Sequence, residues 1–278
     1  MNDCNSFTNP VARRFCYRED IGCYLKLPLQ TKVSHKFSSS FDAEVEDGLL
    51  HFTANESAMA PLSLLVPAEV IAEAITGWPI VVQKSRLVLG QYEFTAAPSM
   101  SPVQPGEEQS RELLQANLAQ LYRNIKLFGR QSPVLTMITA NDKESHILST
   151  AAAMISAGER NLLQFVSYLG IGEGLTPAFD DFLAGMLFVD RFYRYNRLIV
   201  PEEFWQKAAT RTTRQAVQQY KYAFAGRFSR QFELFVADLP QRQVSSAEIT
   251  RLLAWGHSSG TDILCGIWNY LSQQVKMN

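Results

Sequence analysis

Two stretches of this chain carry the same spacing, an aspartate four residues before a glycine: Asp181 to Gly185 and Asp262 to Gly266. A carboxylate and a glycine so spaced lie on one helical face, a turn apart. Glycine inside a helix costs about 1 kcal/mol relative to alanine, so it marks the close approach of another backbone. The spacing predicts two helices crossing near Gly185 and Gly266, with both N-termini opening onto one pocket. Taken singly, each stretch also reads as a well-capped helix whose glycine relieves crowding.

The first stretch, GIGEGLTPAFDDFLAG, runs from Gly170 to Gly185. Thr176 and Pro177 read as the N-cap and first residue of a helix, since threonine offers a side-chain acceptor and proline needs no partner there. Asp180 and Asp181 then fall in the first turn, where the helix dipole favours negative charge. Gly170, Gly172 and Gly174 leave the preceding backbone free to present N–H groups to an anion. The second stretch, GHSSGTDILCG, runs from Gly256 to Gly266 and leads from small polar residues into an apolar helix. There Ser258, Ser259, Gly260 and Thr261 are candidate donors to an oxyanion or phosphate. Together with Gly172, Gly174 and Thr176 they make the expected anion-binding set.

Asp180, Asp181, Asp262 and His257 are the candidate catalytic residues. Asp180 and Asp181 are also candidate ligands for magnesium, which favours oxygen donors and keeps several waters. Successive helical residues differ by ~100°, so one of these two faces the pocket while the other caps or pairs locally. His257 beside Ser258 suggests a nucleophile and its base, but adjacent residues rarely attain that geometry and no third orienting residue is evident. Arg211, Arg214, Arg227 and Arg230 have helix-face spacing, and one or two could reach an acidic ligand. No glycine-rich run is followed by Lys-Ser or Lys-Thr, which excludes a Walker A loop. Gly170-Ile171-Gly172-Glu173-Gly174 lacks the G-x-G-x-x-G spacing of a dinucleotide turn.

The rest of the chain divides by periodicity. Phe41, Ala43 and Val45 alternate with charged residues, Asp47-Gly48 follows, and Leu50, Phe52 and Ala54 alternate again, which predicts a hairpin. A further strand pair is expected within 80–94, broken at Gly90. Pro98, Pro102, Pro105 and Gly106 mark a linker. Beyond it Leu114, Leu118, Leu121, Ile125 and Phe128 form a helical stripe stopped by Gly129. Helices are expected at about 144–157, 160–169, 177–195, 202–220 and 261–274, and Ser245 with Glu248 forms a capping box. The fold class is α+β: a β-rich domain over 1–97, a linker over 98–109, and a mainly helical domain over 110–278 that carries both glycine motifs.

Composition narrows the partners. Hydrophobic residues make up 46% and charged residues 19%, with a formal net charge of −1. That balance gives no general attraction to nucleic acid or anionic membrane. The first residues, MNDCNSFTNP, contain no apolar run of signal-peptide type, and no stretch approaches the ~18 apolar residues of a membrane span. Cys4, Cys16, Cys23 and Cys265 show no CxxC spacing, so neither a zinc ribbon nor a disulfide framework is indicated. A cytoplasmic location is expected.

With both motifs in view, the chain resembles a bacterial family of domain-of-unknown-function proteins that includes the oxamate carbamoyltransferase subunit AllH. The resemblance rests on GEGLTPAFDDFLAG, Gly172 to Gly185, and GHSSGTDILCG, Gly256 to Gly266. It implies a component of an assembly, with other carbamoyltransferase subunits as partners, that exchanges a carbamoyl group between oxalurate and phosphate in anaerobic allantoin degradation. Asp181 and Asp262 would then hold magnesium or accept protons from the carbamoyl NH2 group. Two other readings use the same residues: a stand-alone magnesium-dependent enzyme acting on a small phosphorylated or carboxylated metabolite, and a non-catalytic interaction subunit.

Overall fold

Alternating apolar residues build the N-terminal part of the chain. A computed structural model describes residues 14–18, 29–46, 48–83, 86–97, 99–107, 110–139 and 147–277. Asp47 of the expected hairpin turn, Pro98 of the linker, residues 144–146 of an expected helix, and Cys4 and Cys23 lie outside them. The chain divides into two units, residues 1–103 with 229–231, and residues 104–228 with 232–278.

Among the described residues the first unit contains eight strands, β1 (Arg14–Tyr17), β2 (Leu29–Lys36), β3 (Ser40–Val45), β4 (Gly48–Thr53), β5 (Ser63–Leu65), β6 (Pro79–Gln83), β7 (Arg86–Leu89) and β8 (Tyr92–Ala96). They close into a barrel in the order β1-β5-β4-β3-β2-β6-β7-β8. The expected hairpin is β3–β4, with Phe41 opposite Phe52 and Ala43 opposite Leu50. The two phenylalanine rings stack inside the barrel at 4.7 Å between centroids. Inward residues of each strand form one apolar core, to which a short helix, α1 (Ala68–Glu73), adds Val70 and Ile71. The strand pair expected over 80–94 is instead three strands, because β6 pairs with β7 as well as β7 with β8. Parallel pairing of β1 with β8 completes the ring.

The second unit is helical: α2 (Arg111–Phe128), α3 (Pro133–Thr139), α4 (Ser149–Ser156), a 3-10 turn (Leu162–Tyr168), α5 (Ala178–Phe192), α6 (Glu202–Arg211), α7 (Arg214–Phe224), α8 (Arg230–Asp238), α9 (Ser246–Leu253) and α10 (Ser259–Met277). Leu114, Leu118, Leu121 and Ile125 are buried as the stripe requires, but Phe128, at the last position of α2, is 54% exposed. The helix expected over 160–169 is a 3-10 turn capped by Asn161. The single helix expected over 202–220 is two, because Thr212 is extended and Thr213 caps a new start. Almost every residue of α5 is buried, with Arg191 near its C-terminus an exception. A helix apolar on all sides occupies the middle of its unit.

No helix of the described residues is long and apolar enough to cross a membrane.

Candidate functional site

Helices α5 and α10 cross at their two glycines. A Cβ placed on Gly185 would lie 2.4 Å from the Ile263 carbonyl oxygen, and one on Gly266 would lie 2.1 Å from that of Phe182. Only glycine permits this approach. The crossing lies one turn beyond Asp181 and Asp262, which brings the two carboxylates into electrostatic contact.

Both carboxylates are sealed from solvent, Asp181 at 1% exposure and Asp262 at 0%. Asp181 Oδ1 accepts a hydrogen bond from Gln219 Nε2 at 2.8 Å. Asp262 Oδ1 accepts one from the Ser132 hydroxyl at 2.5 Å. The second oxygen of each, Oδ2, is buried without a hydrogen-bond partner. Burial drives the Asp181 carboxyl well above the usual range; Ser259 and Gln219 oppose the rise, and the charge of Asp262 adds to it. Burial lifts Asp262 to about 7, against the opposing hydroxyls of Ser132 and Ser258.

Asp180 is different. Its Oδ2 accepts from the Gly170 N–H at 2.7 Å and its Oδ1 from the Tyr220 hydroxyl at 3.1 Å. Both oxygens are therefore engaged, and Asp180 ties the glycine loop to α7. Burial raises its pKa, with the Gly170 N–H acting in the opposite direction. Of the adjacent pair, Asp180 pairs locally and Asp181 faces α10.

The helix start falls one residue later than the sequence suggests. Pro177 is extended and occupies the N-cap position without a side-chain cap, so α5 begins at Ala178. Thr176 is left free of capping, and its hydroxyl lies 3.2 Å from that of Ser259. Gly172 has φ +120°, and a Cβ there would lie 2.4 Å from the Ala178 nitrogen. Gly174 is exposed, with φ +93° and open space beside it.

The second motif splits between cleft and core. Ser258 and His257 line a cleft of about 510 Å³ with Gln131, Ser132, Thr136 and Gly172. Thr261 is fully buried, and its hydroxyl accepts from the Arg130 N–H at 2.9 Å. A Cβ on Gly260 would lie 2.0 Å from the Leu252 carbonyl oxygen. Thr261 and Gly260 thus seat α10 against its neighbours, whereas Ser258 and His257 face the open space. Arg130 Nη1 donates to the carbonyl oxygens of Gly256 and His257 at 2.6 and 2.8 Å. Arg227, a candidate for an acidic ligand, pairs instead with the buried Glu233 at 3.2 Å.

Ser132, Gln219, Tyr220 and Arg130 complete the arrangement, and of these only Ser132 carries a local sequence signal. Ser132 precedes a proline and caps α3 through the Leu135 N–H at 3.0 Å. The Ser-Pro pair was the available hint, since it commonly opens a helix. Ser132 also joins the two levels of the site, lining the cleft while binding Asp262 beneath it.

Fold and site together describe a helical unit that presents a cleft of mixed polar and apolar lining above two buried, mutually interacting carboxylates. The family model described as oxamate carbamoyltransferase subunit AllH matches residues 168–271. Helix α5, the part of α10 up to Leu271, and the Gln219 and Tyr220 contacts fall inside that range, and the eight barrel strands fall outside it. No solved structure matches the chain.

Proposed function

We propose that this chain is a subunit of a cytoplasmic oxamate carbamoyltransferase assembly acting in allantoin degradation, converting oxalurate and phosphate to oxamate and carbamoyl phosphate. The observation that carries this reading is the match over residues 168–271 to the family model described as oxamate carbamoyltransferase subunit AllH, a range that contains Asp181, Asp262 and both crossing glycines. In the reaction a phosphate oxygen attacks the ureido carbonyl carbon, the bond from that carbon to the oxamate nitrogen breaks, and the nitrogen takes up a proton. The nucleophile is a substrate, so an enzymatic nucleophile is not required. The protein's contribution is to orient two small anions and to stabilise charge on the carbonyl oxygen.

The cleft has groups suited to that work. Ser258, Gln131 and Thr136 line it with hydrogen-bonding side chains, and His257 stands at the same wall. With the catalytic demand limited to orientation and charge stabilisation, the remaining donors are expected from partner subunits. The test is carbamoyl transfer, followed as carbamoyl phosphate formed from oxalurate and phosphate, with the purified chain alone and with its co-purified partners. Turnover only in the presence of partners supports the reading. Robust turnover by the isolated chain identifies a self-sufficient enzyme, and full activity of the assembly without this chain overturns the proposal.

A further inference from the structure

Two carboxylates placed side by side in a protein interior either hold protons or need a counter-charge, because burial strips away the water that would otherwise support them. Asp181 and Asp262 interact electrostatically, and each keeps one oxygen without a hydrogen-bond partner. The side chains that hydrogen-bond to them, Gln219, Ser259 and Thr176 at Asp181 and Ser132 and Ser258 at Asp262, carry no charge. On the Asp181 side, the hydroxyls of Thr176 and Ser259 lie 3.2 Å from one another. Ser132 connects the pair to the open cleft.

We propose that Asp181 and Asp262 are the two carboxylate ligands of a divalent-cation site of the magnesium class at the floor of this cleft. The carboxylates and the hydroxyls beside them are hard oxygens, which favour magnesium or manganese over zinc. Among the described residues no three His, Cys, Asp or Glu side chains converge as an all-protein cage. Magnesium fits that pattern, because it is commonly held by one or two carboxylates while water and substrate oxygens fill its other positions. Asp180 is not part of the set, since the Gly170 N–H and the Tyr220 hydroxyl occupy its oxygens. A cation here also reconciles two buried carboxylates with an anionic substrate in the cleft above. The proposal does not depend on the transferred group, because cation binding is measured without any substrate.

The test uses manganese as a spectroscopic substitute, titrated into the full-length chain at pH 8 and followed by electron paramagnetic resonance. The expected result is one bound manganese per chain, displaced by magnesium. Asp181→Asn and Asp262→Asn should each weaken binding by roughly tenfold or more, the scale on which even supporting residues act at metal sites. The control Asp238→Asn, at a carboxylate paired with Arg242, should leave affinity near that of the wild type. Circular dichroism of each variant separates loss of binding from loss of fold. The proposal is overturned if the folded wild-type chain binds no manganese, if magnesium does not displace it, or if the Asp181→Asn/Asp262→Asn double variant binds as the wild type does.

Discussion

The carbonyl oxygen of Phe182 lies where a side chain on Gly266 would have to start: a Cβ at that glycine would be 2.1 Å away. The obstruction is main chain, which cannot rotate out of the way as a side chain can. Alanine at Gly266 should therefore destabilise the helical unit, despite gaining about 1 kcal/mol in helix propensity. Overpacking of this kind typically costs about 1–3 kcal/mol. Valine should be worse, and Gly185→Ala should act in the same direction. Thermal melts of the three variants give the answer; unchanged melting would mean that the two backbones do not meet.

Thr261 and its neighbour Ser258 should respond in opposite ways to removal of their hydroxyls. Thr261→Val leaves the Arg130 N–H without its acceptor, at a cost of about 1–3 kcal/mol in stability. Thr261→Ser should recover most of that loss. Denaturant unfolding of the two variants distinguishes this seating role from a ligand-binding one, in which stability would stay constant.

Ser258→Ala should weaken binding of phosphate, carbamoyl phosphate or oxamate while leaving the melting temperature close to wild type. A hydrogen bond to a charged group contributes about 1.5–3 kcal/mol, a loss of roughly 10- to 100-fold in affinity. Calorimetry with each anion provides the measurement. Equal affinity in wild type and variant would remove Ser258 from the anion contacts.

Glu248 supplies a pH signature remote from the site. Hydrogen bonding to Arg242, reinforced by the backbone and hydroxyl of Ser245, lowers its pKa from 4.5 to about 2. A lowered carboxyl pKa contributes stability above the unfolded value and loses it as pH falls through the folded value. The capping-box contribution should therefore fade between about pH 4.5 and pH 2. Because the pair is largely exposed, salt screening keeps the effect small. Stability curves of wild type and Glu248→Gln should converge across that window; parallel curves would show that Glu248 is not linked to folding.

What the sequence makes legible follows the range of the physics involved. The crossing at Gly185 and Gly266 can be read locally, because helical periodicity and the cost of a helical glycine act within a few residues. The β3–β4 hairpin is legible for the same reason. Closure of the barrel is not, because β1 must pair with β8 and β5 across most of the unit and its four residues carry little pattern of their own. Ser132 lies 130 positions from its partner Asp262, and Gln219 and Tyr220 reach Asp181 and Asp180 from a separate helix. Such contacts appear only once tertiary packing has brought the helix faces together. The boundary between Thr176 and Pro177 turns on one extended proline, a choice that local preference leaves nearly balanced.

Arg130 has a consequence for how ligand occupancy would be felt elsewhere. Its guanidinium holds the carbonyls of Gly256 and His257, and its own N–H binds Thr261 at the start of α10. The short connection after α2 and the approach to α10 are thereby riveted together, although 126 residues separate Arg130 from Gly256. A molecule that reorders the 256–258 backbone must either break this clamp or carry the far end of α2 with it. The cleft wall is thus fastened to the last turn of α2, which bears the exposed side chains of Leu127 and Phe128.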